Sequence, residues 1–124
     1  MGNTKLDGAG AAKMRSLEEA LTQLQRIHGL VEHMALAQKQ QKPTTMFGMQ
    51  IRRAAGPLVG QLKVQFGMVA DQVAALVLAA TRGGNEQMKV RVLREGVGQL
   101  RTSIDAMMNK VKEQHSVPIE MSSD

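Results

Sequence analysis

The sequence has no cysteine, no tryptophan and no tyrosine, and it holds only two phenylalanines in 124 residues. Without cysteine, the protein cannot form disulfides, thiolate zinc sites or iron–sulfur clusters, and thiol catalysis is excluded. Nucleic-acid readers that stack bases on Phe, Tyr or Trp are excluded as well. The core must therefore be built from Leu, Val, Ala and Met, which bury less area per side chain than aromatic residues do.

Long apolar runs and strand patterns are also missing. The longest apolar run, residues 73–80, has eight residues, whereas a membrane span needs about 20. The N-terminal residues carry no signal-peptide pattern. We therefore expect a cytoplasmic protein without a membrane partner. Only three prolines occur, and no segment alternates apolar and polar residues as a half-buried strand does.

The first helix is predicted to begin at a capping box, in which Ser16 caps the helix and Glu19 reaches back to it. Residues 1–15 are accordingly predicted to form a flexible tail. Because Pro43 disfavours helical backbone in the residue before it, the helix should end around residues 40–42. Its apolar stripe at three- and four-residue spacing comprises Leu17, Leu21, Leu24, Ile27 or His28, Val31, and Met34 or Ala35.

A second helical region is predicted to start at Thr44 or Thr45, either of which can cap it. Its stripe keeps one phase through Phe47, Ile51, Ala54, Leu58, Leu62, Phe66, Val69, Val73, Leu76 and Ala80. We therefore expect one long helix that kinks at Pro57, where the ring and the missing N–H disturb the carbonyl of Arg53. A break near residues 63–67 is the alternative, and it would give two helices.

The last helix follows the turn Arg82-Gly83-Gly84-Asn85, in which Asn85 suits the N-cap. Its stripe comprises Val90, Leu93, Val97, Leu100, Ile104, Met107 or Met108, and Val111, and it ends before Pro118. The predicted fold is an all-α antiparallel bundle of three long helices over residues 16–115, or of four if the middle helix breaks near residues 63–67. Residues 116–124 are predicted to form a second flexible tail.

No arrangement of side chains predicts catalysis. His28 and His33 lie about 140° apart around a helix, so one helix cannot present both to a metal ion. No carboxylate pair and no Ser-His-Asp pattern is recognisable in the sequence. We therefore expect a non-enzymatic protein with no cofactor and no metal site.

Ten methionines are many for this length. Methionine fills irregular gaps in cores, and it is also over-used on adaptable binding surfaces. Because aromatic side chains are scarce, core filling is the preferred interpretation, and a Met-lined groove for a partner is the alternative. The residues concerned lie on or beside the apolar stripes: Met46, Met49, Met68, Met88, Met107 and Met108.

Charge is distributed unevenly along the chain. Residues 33–94 hold nine basic and two acidic residues, a net charge of +7, whereas the rest holds seven basic and nine acidic residues, a net charge of −2. Pairs such as Arg91 with Glu95 and Arg101 with Asp105, four residues apart, should neutralise part of the last helix. A field of one sign attracts phosphate backbones. The predicted nucleic-acid-binding residues are Lys39, Lys42, Arg52, Arg53, Lys63, Arg82, Lys89, Arg91 and Arg94.

Gly56, Gly60 and Gly67 fall on a second stripe of the predicted middle helix. Glycine inside a helix costs roughly 0.5–1 kcal/mol relative to alanine, so three on one face indicate a close helix contact. The contact can lie within the chain or between subunits. We favour an interface of a homo-oligomer, because a three-helix bundle needs only one buried face per helix.

The stretch Phe47-Gly48-Met49-Gln50-Ile51-Arg52-Arg53-Ala54-Ala55, followed by Pro57, resembles the entry to helix two in a family of small four-helix-bundle proteins. These are the proteins encoded in intervening sequences of ribosomal RNA genes, and they are related to the accessory variability determinants of diversity-generating retroelements. The later Arg82-Gly83-Gly84, Leu93 and Gly98-Gln99-Leu100 resemble the turn and third helix of the same pattern. The resemblance implies a basic bundle, often a ring-shaped pentamer, that binds RNA and, in the retroelements, a reverse transcriptase. Arg52 and Arg53 are the matched basic positions.

Together these features predict a non-enzymatic accessory protein that oligomerises and binds nucleic-acid backbone, RNA in preference to DNA, through a basic face. Because aromatic side chains are so few, its contacts should be dominated by phosphates and only weakly sequence-specific. One alternative is an adaptor that docks a protein partner through Met-rich and Gly-lined helix faces. Another is a small helical subunit of a larger complex, such as a CRISPR effector.

Overall fold

Four helices and a two-stranded ribbon make up the chain in a computed structural model, which describes residues 4–118. In chain order the elements are β1 (Thr4–Leu6), α1 (Gly8–Lys39), α2 (Thr45–Leu62), α3 (Gly67–Thr81), α4 (Glu86–His115) and β2 (Ser116–Pro118). Helix α1 packs against α4 and α2, and α3 packs against α2 and α4. The predicted all-α bundle is confirmed in its four-helix form. None of the helices in residues 4–118 combines the length and apolar character that a membrane crossing requires.

The middle of the chain forms two helices, so the single kinked helix that we preferred is wrong and the break near residues 63–67 is correct. Pro57 lies inside α2, and the chain turns between Leu62 and Gly67. The N–H of Phe66 donates to the carbonyl of Leu62 at 2.7 Å. Both side chains are buried. The turn therefore keeps the helical spacing of the apolar stripe, which is why the stripe did not reveal it.

The N-terminal boundary also differs from the prediction. Helix α1 begins at Gly8, and Ser16 lies within it, so Ser16 is not the cap. The cap is Asp7, whose carboxylate accepts from the N–H of Gly10 at 2.7 Å. Residues 4–15 of the predicted tail thus belong to β1 and to the start of α1. Residues 1–3 lie outside the described residues.

The predicted C-terminal tail begins as a strand. Strand β2 pairs with β1 in antiparallel register, with Lys5 opposite Val117 and Leu6 opposite Ser116. Neither strand alternates apolar and polar residues over enough length for the pattern to be read. The remaining residues of that tail, 119–124, lie outside the described residues.

Unequal helix lengths give the bundle two different ends. Helices α1 and α4 have 32 and 30 residues, about 48 and 45 Å, whereas α2 has 18 residues, about 27 Å. We call the end with the α1–α2 and α3–α4 connections (residues 40–44 and 82–85) the loop end. The other end, where α1 and α4 continue to the paired strands, is the ribbon end. The α2–α3 turn lies part of the way between them.

The core follows the predicted stripes closely. All four helices contribute, and the largest fully buried side chains include Leu17, Ile27, Met34, Ile51, Leu62, Leu93, Leu100 and Ile104. Three predicted positions shift by one residue on their helices: Gly48 is buried in place of Phe47, Ala55 in place of Ala54, and Ala20 in place of Leu21. The core therefore uses Leu, Ile, Val, Ala and a few Met side chains, with Phe66 as its one buried aromatic residue.

Candidate nucleic-acid interface

A groove of about 1070 Å³ lies at the loop end between α1 and α4. Three of the predicted cations, Lys39, Arg91 and Arg94, line it. They meet there because α1 ends at Lys39 and antiparallel α4 begins nearby at Glu86. The apolar side chains Leu36 and Met88 also line the groove, and each is about half exposed. The groove thus combines cationic and apolar surface.

Arg94 is the one groove cation that a carboxylate neutralises. Its Nε donates to one oxygen of Glu32 at 2.9 Å, and its Nη2 donates to the other at 2.8 Å. These hydrogen bonds lower the pKa of Glu32 and raise that of Arg94. The partners are 62 residues apart in sequence, so local spacing could not predict the pair. Lys39 and Arg91 belong to neither of the ion pairs present in residues 4–118.

The connections at the loop end add further cations. Lys42 lies in the α1–α2 connection and Arg82 at the C-terminal end of α3, and both are exposed. Lys89 lies in the first turns of α4 but is half-buried and outside the groove lining. Glu86, an acid at this end, accepts a hydrogen bond from the hydroxyl of Thr44. Six of the nine predicted residues therefore lie at the loop end.

The N-terminus of α4 is closed by its own cap. The side-chain oxygen of Asn85 accepts from the N–H groups of Gln87 at 2.9 Å and Met88 at 3.1 Å. The predicted capping role of Asn85 is confirmed. Because two of the donors at this helix terminus are already occupied, the positive charge of the groove comes mainly from side chains.

The other three predicted residues lie elsewhere. Arg53 lines a separate groove between α1 and α2, and Arg52 lies one position away, about 100° around the helix. Lys63 lies in the α2–α3 turn, at the far end of α2 and about 27 Å from the loop end. The structure therefore divides the predicted basic face into a loop-end cluster, an α2 pair and an isolated lysine.

Arg26 is a basic residue of the second groove that the sequence did not single out. It lines the same part of the α1–α2 groove as Arg53. Arg26 belongs to the part of the chain with a net negative charge, so the distribution of charge along the sequence does not identify it. Only the packing of α1 against α2 brings the two arginines together.

The expected neutralisation along α4 is wrong. The ion pairs within residues 4–118 are Arg94 with Glu32 and His115 with Asp7. Neither Arg91 with Glu95 nor Arg101 with Asp105 forms one, although each pair has the helical spacing. Arg91 consequently lines the α1–α4 groove without an ion-pair partner among residues 4–118.

The three glycines do not share one helix. Gly56 and Gly60 lie one turn apart on α2, whereas Gly67 is the first residue of α3. A Cβ atom at any of the three would meet nothing within 4 Å. Close packing within the described chain therefore does not explain them, and the contact within one chain that we considered is wrong.

Methionine is more exposed than core filling predicts. Met46, Met49, Met68 and Met88 are between 52% and 75% exposed. Met14 and Met34 are buried, and Met107 and Met108 are half-buried. Core filling therefore holds for Met14 and Met34 on α1 and for Met107 and Met108 on α4. It is wrong for the four exposed methionines.

Histidine forms one polar cluster, at the ribbon end. His115 Nδ1 lies 3.2 Å from the Asp7 carboxylate, and its Nε2 lies 3.2 Å from Nζ of Lys13. His28 and His33 are exposed on α1, where the ring of His33 lies 6.2 Å from that of Phe47. Among residues 4–118, no three potential ligands come together as a metal site.

Comparison of the chain with protein-family models, with curated proteins and with solved structures gives no match.

Proposed function

We propose that the protein binds nucleic-acid backbone, RNA in preference to DNA, through the α1–α4 groove and the loops beside it. The observation that carries the proposal is the grouping of Lys39, Lys42, Arg82 and Arg91 at one end of the bundle, outside both ion pairs of residues 4–118. Cations without carboxylate partners lose no ion pair when they bind phosphate, and they gain the entropy of released counterions. The role is that of a non-enzymatic accessory protein.

Binding of single-stranded RNA at several salt concentrations tests this proposal. Replacing Lys39 and Arg91 by Glu should weaken binding and flatten the log–log salt dependence by about 1.4, because each lost single-strand contact removes about 0.7. Replacing Lys63 and Lys110 by Glu is the matched control, since it changes the net charge equally at exposed positions away from the groove. Equal effects of the two double variants, or no binding by the wild type at low salt, would contradict the proposal.

Self-association through Gly56 and Gly60 is part of the proposed function. Both lie in α2 with open space above them, and glycine at such positions weakens a helix by roughly 0.5–1 kcal/mol. A second copy that packs closely against this surface would explain why α2 carries glycine at both positions. In sedimentation, Gly60→Leu should shift the protein towards monomer. Gly98→Leu, on α4 with similar open space, should not.

Docking of a protein partner is the second candidate function. The observation that favours it is the exposure of Met46, Met49, Met68 and Met88, together with Leu78 at 66%. Flexible thioether side chains adapt to partner surfaces of different shape. If the wild-type protein retains no RNA or DNA at low salt, this candidate takes the place of the first.

A further inference from the structure

The α1–α2 groove holds two arginines that no carboxylate neutralises. Arg26 and Arg53 both line it, together with Ala54. Both side chains are exposed, and neither belongs to the ion pairs found among residues 4–118. They differ in this respect from Arg94, whose guanidinium is occupied by Glu32. Two guanidinium groups are thus available to one anionic ligand.

The lining of this groove suits a phosphate group. Its part nearer the loop end has a volume of about 350 Å³ and is lined by Arg26, Leu30, Gln50, Arg53 and Ala54, without an acid. Gln50 offers an uncharged amide donor, and the small side chain of Ala54 leaves room beside the arginines. The planar fork of each guanidinium matches a pair of phosphate oxygens. One acid, Glu19, lines the groove farther towards the ribbon end.

The two grooves flank the same helix. The α1–α4 groove lies on one side of α1 and the α1–α2 groove on the other. Lys39 and Arg26 are 13 positions apart on α1, about 20 Å along the helix axis. Glu32 is the one acid between them in the sequence, and Arg94 holds its carboxylate. A polyanion that crosses the outer face of α1 therefore meets little opposing charge.

We propose that Arg26 and Arg53 form a second phosphodiester site for the same single strand, which crosses the outer face of α1 from the α1–α4 groove. This inference rests on the proposed function. The strand must bend around one helix, about 10–12 Å across. Duplex DNA, with a persistence length of about 150 bp, cannot follow so tight a path. The ligand of the second site is therefore single-stranded.

The length dependence of RNA binding tests the two-groove path. The separation of about 20 Å along the axis is the minimum length of the path, because the strand must also pass around the helix. An oligonucleotide of about 4 residues should occupy one groove, whereas one of about 15 residues should span both and bind more than tenfold tighter through the raised effective concentration. In the Arg26→Gln, Arg53→Gln double variant this gain should fall to less than threefold. The salt dependence of the longer strand should flatten by about 1.4.

The controls separate failure of this inference from failure of the proposed function. A Lys63→Gln, Lys110→Gln variant removes the same charge elsewhere and should keep the length dependence. If the wild type binds the longer strand but the arginine variant matches this control, the second site is refuted and the first groove stands. If the arginine variant weakens binding of a duplex of the same length as much as it weakens binding of the single strand, the crossing path is refuted. Absence of binding by the wild type refutes both proposals. Circular dichroism verifies that each variant folds.

Discussion

Gly48 of α2 lies directly against the main chain of Ala80 in α3. A Cβ atom at position 48 would stand 2.6 Å from the carbonyl oxygen of Ala80. That separation is below van der Waals contact, and the opposing atom belongs to the backbone, which cannot move aside cheaply. The close approach brings the first turn of α2 beside the end of α3. Glycine at position 48 permits this contact because it has no Cβ atom.

Gly48→Ala should therefore destabilise the protein. We expect a loss of about 1–3 kcal/mol in the free energy of unfolding, because the two helices must separate to admit the methyl group. Gly98→Ala on α4, outside the proposed self-association surface, is the matched control. Position 98 is exposed and open, so alanine should stabilise the protein by about 0.4–1 kcal/mol. Urea denaturation of both variants measures the difference, and effects of the same sign would disprove the contact.

Release of Arg94 should strengthen nucleic-acid binding. Glu32→Gln removes the carboxylate that accepts both hydrogen bonds of the guanidinium, while the side chain keeps its shape. The groove then gains one available cation. The salt dependence of single-stranded RNA binding should steepen by up to about 0.7, and affinity at low salt should rise. An unchanged slope would indicate that the bound strand does not reach Arg94.

The cap of α1 should make the ribbon end sensitive to acid. The hydrogen bond from the N–H of Gly10 is the main cause of a lowered pKa at Asp7, and His115 lowers it further. Since the folded pKa lies below the unfolded value of 3.8, this stabilisation is complete above that pH. It is lost as the pH falls through the lowered value. Amide exchange of residues 8–11 should accordingly accelerate below pH 3.8.

Two variants distinguish the charge of Asp7 from its capping role. Asparagine caps helices about as well as aspartate, so Asp7→Asn should keep the first turn of α1 but lose the acid sensitivity. Asp7→Ala should expose the same amides to exchange at every pH. If the Asn variant behaves like the wild type in acid, the titrating group lies elsewhere.

The sequence predicts most of the fold because the helices are strongly periodic. Apolar stripes identify the core, and Asn85 and Pro43 mark helix boundaries through their local chemistry. The turn before Gly67 is predicted only as the alternative to one long helix, since Leu62 and Phe66 stay buried at helical spacing on either side of it. Loops without Pro, Asn or Asp leave no such local signal.

The sequence predicts less of the candidate site than of the fold. Composition identifies a basic segment, but grooves are formed by residues from different helices. The pairs Arg26 with Arg53 and Glu32 with Arg94 join distant parts of the chain. Such contacts depend on which helices are neighbours, and the helical spacing of charges along one segment does not contain that information. The spacing of charges along α4 also predicted two ion pairs, Arg91 with Glu95 and Arg101 with Asp105, that do not form.

Pro57 should be a site where substitution stabilises the protein. It is exposed inside α2, and it cannot donate the hydrogen bond that the carbonyl of Arg53 would otherwise accept. Pro57→Ala restores this donor and removes the ring, so the free energy of unfolding should rise by about 1–3 kcal/mol.

Pro43→Ala is the control, for which the opposite effect is expected. Pro43 lies in the α1–α2 connection, where proline restricts the unfolded chain, and alanine should cost about 0.4–1 kcal/mol. Thermal unfolding of the two variants should shift the melting temperature in opposite directions. A loss of stability in Pro57→Ala would mean that Leu58 and Leu62 pack correctly only when the proline shapes α2.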